Sequence, residues 1–188
     1  MSTTTMGKRL QCGLVLAILL GLQGCATPAR VDSMRVSGTP SQRIAPSPFR
    51  GSLAIGEVIG GKETNPLWTS QVGSAQFERA LEASLGDLGL LAPRQGGQFV
   101  LNSALEKMEQ PLLGVSFTVT STVHYAITER ATGKRLLDKS LTTPYTAQFS
   151  DALLGVERLR LANEGAIREN ISRFIKELEG LNPAPAAN

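Results

Sequence analysis

The chain predicts an α+β domain: a two-layer sandwich whose four-stranded, mainly antiparallel sheet carries two helices on one face, in the order β-α-β-β-β-α. Three observations predict it. The stretch "VSFTVTSTVHYAIT" alternates apolar and polar residues along its length, the period of a sheet with one buried face. Two other stretches repeat large apolar residues at steps of three and four, the period of a helix buried on one side. One of these stretches comes before the run of strand-like segments and the other after it.

The elements follow in order. "SLAIGEVIG" reads as a short strand stopped by Gly60 and Gly61. In "NPLWTSQVGSAQFERALEASLGDLGLLAP" the stripe Phe77, Leu81, Leu85, Leu88 marks a helix. Asn65 before Pro66, or Thr69 or Ser70, are its candidate caps, and Gly89 and Pro93 end it. "GQFVLNSALEKME" alternates as a strand with Phe99, Leu101 and Leu105 on one face. In the next strand Val115, Phe117, Val119, Val123, Tyr125 and Ile127 point one way. Ser116, Thr118, Thr120, Thr122, His124 and Thr128 point the other. A turn around Gly133 leads into "LLDKSLTTPYTA", where Pro144 marks a strand end or an edge position. The last helix carries the stripe Ile167, Ile171, Phe174, Leu178, Leu181, with Ser150 or Asp151 as its cap. Its charged face, Arg168, Glu169, Arg173, Lys176 and Glu177, reads as solvated. Gly165 inside it costs about 1 kcal/mol against Ala, which points to close packing on the sheet.

The domain spans residues 51–181, enough to bury roughly two-thirds of the unfolded surface. Residues 182–188 read as a disordered tail. What precedes the domain is of another kind. Lys8 and Arg9 form a short positive region, and Cys12 to Leu22 is apolar or Gly throughout. As a helix that run spans roughly half of a ~30 Å hydrocarbon core. Residues 1–24 therefore read as a secretory signal peptide, with Met6 as an alternative start. Residues 25–50, rich in Pro, Ser, Thr and Arg, read as a flexible tether with little packing of its own.

The junction is "LQGC", Leu22 to Cys25. It resembles the lipobox of bacterial lipoproteins, with Gln23 standing where Ala or Ser is commoner. The resemblance implies cleavage before Cys25, an S-diacylglyceryl group on its thiol and an acyl group on its new amino terminus. Two or more acyl chains hold a protein stably on a bilayer where one does not. In that family Asp after the cysteine favours the inner membrane. This chain has Ala26, which implies the outer membrane with the domain facing the periplasm. Behind such a junction, the order of elements over residues 53–181 resembles small outer-membrane lipoproteins of the lipopolysaccharide-assembly kind and auxiliary lipoproteins of ABC-type transport systems. No binding residue is carried over from that likeness.

Charge excludes one class of partner. Of 19 basic and 16 acidic residues, Lys8 and Arg9 leave with the signal. Arg30, Arg35, Arg43 and Arg50 face only Asp32 within 26–50. No global basic patch for nucleic acid remains. With Cys12 removed and Cys25 acylated, no disulfide can form.

Catalytic motifs are weak. "GEVIGGKE" approaches a phosphate loop through Gly56, Gly61 and Lys62, but Glu63 stands where a Ser or Thr would hold magnesium. A Gly-Gly strand exit is the simpler reading. His124 is the only histidine and lies in a row of threonines, which favours a solvent-facing residue over a general base. Glu106 and Glu109 stand three apart on a strand and do not pair. Glu129 and Asp138 read as surface partners of Arg130 and Arg135. No cofactor and no metal is expected.

Two surfaces are candidates for partner docking. One is the polar sheet face with Thr118, Thr120, Thr122 and His124, which is otherwise simply a wet sheet face. The other is Leu112-Leu113 in "QPLLG". The expectation there is that the pair folds back over the end of the core; the alternative is contact with lipid or a partner. The functional expectation is a non-catalytic binding or scaffolding component of an envelope assembly or transport system, held to the membrane by its lipid and bound to an envelope protein. The alternative is a hydrolase-like envelope enzyme whose site the sequence does not reveal.

Overall fold

The computed structural model describes residues 26–39, 47–65 and 69–181. In chain order they form helix α1 (Val31–Met34), strand β1 (Leu53–Gly60), helix α2 (Ser74–Asp87), strands β2 (Phe99–Glu109), β3 (Phe117–Glu129) and β4 (Arg135–Ala147), and helix α3 (Gly155–Gly180). The four strands make one sheet in the order β1-β2-β3-β4. β1 and β2 are parallel, joined by the α2 crossover, and the other two pairs are antiparallel. α2 packs on β1, and α3 on β3 and β4. This is the α+β arrangement that the sequence predicts, with α1 in addition.

The alternation in β3 sets which face the helices cover. Val119, Ser121, Val123, Tyr125 and Ile127 are all buried, while Thr118 is exposed and Thr120, Thr122 and His124 are half-buried. Beneath the helices, Tyr125 stacks on Phe174 of α3 with ring centres 4.1 Å apart. The α2 stripe Phe77, Leu81, Leu85, Leu88 is buried in the same core. α2 ends as a Schellman motif: Gly89 takes φ +67, its N–H donates to Gly86, and that of Leu90 donates to Leu85. Gly165 lets α3 lie directly on β4, since a Cβ there would fall 2.2 Å from the Tyr145 ring. Pro144 stands in β4, an edge strand, opposite Thr120.

Four expectations are corrected. The proposed caps do not cap: α2 begins after Gly73 and α3 after Leu154, neither with a side-chain cap bond. Pro66, which follows the candidate cap Asn65, lies outside the described residues. Phe149–Asp151 instead forms a separate 3₁₀ turn, closed by Gln148 and Asp151 as a capping box. Arg168 is not simply solvated: it donates to the Ser33 carbonyl and lies over the Tyr145 ring. Arg130 does not pair with Glu129; its guanidinium donates to the carbonyls of Gly97 and Arg94.

The largest correction concerns the tether. The described parts of 26–50 are packed, with Ala26, Ala29, Met34 and Phe49 buried. Phe49 meets Phe99 edge to face at 5.1 Å. α1 sits against α2 and α3. The segment is also hydrogen-bonded: Ser70 Oγ donates to the Thr27 carbonyl, Ser84 Oγ accepts from Val36 N–H, and Arg168 holds Ser33. Low apolar content misled the sequence reading. A few well-spaced apolar residues suffice when the groove and the backbone partners lie elsewhere in the chain.

Candidate functional site

β3 and β4 place the first candidate surface on the side of the sheet away from the helices. Its threonines pair across the strands. Thr118 and Thr146 hydroxyls lie 2.8 Å apart, and those of Thr122 and Thr142 3.1 Å apart. His124 Nε2 meets Asp138 Oδ1 at 2.6 Å, and Arg135 holds the other oxygen of that carboxylate. Arg135, and then His124, keep the Asp138 carboxyl below its ordinary range. On the neighbouring pair, Ser140 opposes His124 but donates its hydroxyl proton to Glu106 Oε2 at 3.1 Å. A hydrolytic triad needs that proton directed at the imidazole. Glu106 is thus a partner of Ser140, and Glu109 of Lys107.

The phosphate-loop resemblance dissolves in the structure. Gly56 lies within β1, where a Cβ would strike Asn102 Oδ1, and Asn102 accepts the Glu57 N–H across a bulge. Gly60 and Gly61 both have positive φ and press against the backbone of Leu105 and Val72. The next helix begins only at Ser74, so the Gly-Gly-Lys stretch does not lead directly into a helix N-terminus.

The second candidate surface lies at one end of the domain. There the β2–β3 connection meets the β4–α3 connection, because Phe117 at the start of β3 pairs with Ala147 at the end of β4. Leu112 is 96% exposed and Leu113 89%. They do not fold over the core, which corrects the sequence expectation. Val115, Phe149, Leu153 and Leu154 are exposed beside them. Arg158 stiffens this end. Its guanidinium lies 5.1 Å from the Phe117 ring centre and 5.0 Å from that of Phe149, and donates to the carbonyls of Ala152 and Leu153. A cleft of about 700 Å³ opens next to it, lined by Lys62, Gln71, Met108, Pro111, Leu112 and Leu159 among others. His124 does not line it.

Between this end and the core runs a row of buried polar residues that sequence reasoning missed. Asn163 Nδ2 donates to the Ser70 carbonyl at 2.9 Å, and Gln110 Nε2 reaches both that carbonyl and Asn163 Oδ1. Glu164, 1% exposed, accepts from Arg160 at 2.5 Å and from the Arg30 backbone N–H at 2.8 Å. Arg160 also clasps Glu157, whose carboxyl it holds below the usual range. Asn163 and Asn170 stand four before Ile167 and three after it. They thus share the apolar stripe, a signal that was available in the sequence.

Among the described residues no group of three His, Cys, Asp or Glu could hold a metal, and no helix is long and apolar enough to cross a membrane. Cys25 lies outside the described residues.

No protein-family model matches the chain, and no curated protein matches it. Solved structures do. A protein from Xanthomonas campestris, described by the family model DUF330, superposes with a TM-score of 0.57 at 10% identity, over 79% of this chain and 91% of that one. That likeness shows the fold. Two further matches carry lipoprotein names. The minor lipoprotein of Acinetobacter baumannii has a TM-score of 0.48 at 17% identity, over 72% and 94% of the two chains. The rare lipoprotein B of Shewanella oneidensis has 0.43 at 12%, over 69% and 94%.

Proposed function

We propose that the chain is a lipoprotein of the bacterial outer membrane, acylated at Cys25, whose domain faces the periplasm as a non-catalytic binding component of an assembly or transport system. The observation that carries the non-catalytic reading is the setting of His124. It sits with its carboxylate on an open sheet face and does not line the described cleft, and the facing serine is turned to Glu106. An enzyme of the hydrolase kind needs a walled site with nucleophile, base and oxyanion donors converging on one point. A broad threonine face suits docking of a protein surface instead. Thr118, Thr120, Thr122 and His124 are its proposed contacts.

The test uses intact envelopes. The wild-type chain should take up labelled fatty acid and crosslink to an envelope protein through the sheet face. Cys25→Ala should take up no label and accumulate as precursor. Thr120→Lys with Thr122→Lys should lose the crosslink while shifting stability by no more than about 0.5 kcal/mol, as surface changes do. Normal processing and label uptake in Cys25→Ala would refute the anchor. An unchanged crosslink in the double variant would refute the docking face.

A further inference from the structure

We infer that the end of the domain bearing the β2–β3 and β4–α3 connections is a membrane-contacting tip, which dips into the lipid bilayer beside the N-terminus. The inference deepens the reading of the chain as a lipoprotein and rests on it for the position of the bilayer. It adds a second, non-covalent contact to the acyl chains.

The first observation is where the exposed apolar residues are. Among the described residues seven large apolar side chains are exposed, and six belong to these two connections: Leu112, Leu113, Val115, Phe149, Leu153 and Leu154. The seventh, Ile59, is on edge strand β1. Apolar residues scattered singly are ordinary, but a contiguous set at one end marks an interaction surface. These residues project from loops, and of the six only Leu112 lines the cleft. Leu112 and Leu113 are nearly as exposed as in an extended chain, a shape that a fluid bilayer accepts without a matching pocket. The base beneath them is rigid, since Arg158 is clamped between Phe117 and Phe149.

The second observation is where the chain enters the domain. The Thr27 carbonyl is held by Ser70 Oγ at 2.9 Å, and the Ser70 carbonyl by Gln110 at 3.1 Å. Gln110 directly precedes Pro111 and Leu112. Ala29 lies by Gln71 and Thr27 by Ser70, so the segment runs back toward Thr69, which lines the cleft together with Pro111 and Leu112. Ala26 is already buried. Cys25 is the next residue, with its Cα ~3.8 Å from that of Ala26. With the segment docked there is no spacer. A bilayer holding acyl chains at Cys25 lies against this end of the domain, and the six apolar side chains face it.

The charges around the tip decide the kind of contact. Lys62, Lys107 and Glu106 line the cleft, Lys107 pairs with Glu109, and Asp151 stands on the β4–α3 connection. No single sign dominates, so the contact is apolar insertion and does not depend on attraction to anionic head groups.

The test places single cysteines on the full chain, expressed with its own leader: Leu113→Cys, Leu153→Cys and, at the opposite end of the sheet, Ala131→Cys. Each is labelled with an environment-sensitive fluorophore and reconstituted in phosphatidylethanolamine–phosphatidylglycerol vesicles, with and without nitroxide-bearing lipid. The wild-type chain reports any label taken by Cys25 itself. Positions 113 and 153 should emit at shorter wavelength and be quenched by the nitroxide lipid, equally at low and high salt. Position 131 should do neither. Water-like emission at 113 and 153 overturns the proposal. So does shielding without lipid quenching, which assigns the tip to a protein or a second copy of the chain. Fatty-acid uptake on the same samples separates the two readings. Uptake with 113 and 153 in water refutes the tip alone, while quenching without uptake refutes the anchor alone.

Discussion

Asn170→Leu should lower stability by roughly 3 kcal/mol, although the new side chain is apolar and enters an apolar core. Asn170 is fully buried on α3 and uses both ends of its amide. Its oxygen accepts from the Tyr125 hydroxyl at 3.1 Å, and its nitrogen donates to the Leu141 carbonyl at 2.9 Å and to Ser121. Leucine leaves the Tyr125 hydroxyl buried with no acceptor and adds bulk beside the Tyr125–Phe174 stack. The cost belongs to the pair. Tyr125→Phe in the same chain should recover part of it, because the phenol hydroxyl is then no longer buried without an acceptor. Denaturant unfolding of the two single variants and the double checks this. If the single costs add to within about 0.5 kcal/mol, the bond contributes nothing of its own.

The same phenol predicts an alkaline limit. Burial pushes the Tyr125 hydroxyl far above its ordinary range. In the unfolded chain it ionises near pH 10. Above that pH the unfolded state loses a proton that the folded state keeps, so stability is complete below about pH 10 and falls as pH rises beyond it. Tyr125→Phe should lessen this fall. Unfolding midpoints from neutral to alkaline pH measure it, and an identical decline in the variant would assign the effect to other groups.

How legible each part was follows from what kind of signal it left. Thr118, Thr120 and Thr122 could be placed on the open face because a period of two has only two outcomes, and Val119, Val123 and Tyr125 decided which was buried. The α2 and α3 stripes were legible for the same reason. The helix starts were not. Asn65, Thr69, Ser150 and Asp151 are good caps by type, but a cap acts only where the backbone turns, and here tertiary packing moved both turns to Gly73 and Leu154. The N-terminal segment failed for a different reason. Its anchors are single residues, Ala26, Ala29 and Met34, and its hydrogen-bond partners lie up to 135 positions away. No local pattern records such a contact. Leu112 and Leu113 show the opposite error: the assumption that apolar pairs are buried hid the most exposed side chains of the end of the domain.

Glu164→Ala should destabilise the domain by about 3 kcal/mol and loosen the segment that joins it to Cys25. Arg160 and Glu164 are both buried on α3 and bonded at 2.5 Å. Removing the carboxylate leaves a guanidinium in the interior with only Glu157, at the surface, to offset it, which places the cost at the lower end of the range for a broken buried pair. The Arg30 N–H loses its acceptor at the same time. Thr27, Ser33 and Val36 keep their own bonds, so the segment loosens from the Arg30 end and does not come away whole. Arg30 and Arg35 are natural reporters, since trypsin cuts there only when the backbone leaves the domain. Cleavage should quicken in Glu164→Ala and less so in Glu164→Gln, which retains an acceptor for Arg30. Arg160→Met added to Glu164→Leu should restore most of the stability but not the protection of Arg30, because the charge is gone and the acceptor with it. Unchanged melting and cleavage in Glu164→Ala would show that the segment is held by its apolar residues alone. The loosening stops short of the membrane anchor. Thr27, between Arg30 and Cys25, stays bonded to Ser70, so losing the Arg30 contact alone leaves the domain beside its anchor. In Glu164→Ala vesicles, lipid quenching at positions 113 and 153 should therefore persist, with fatty-acid uptake intact.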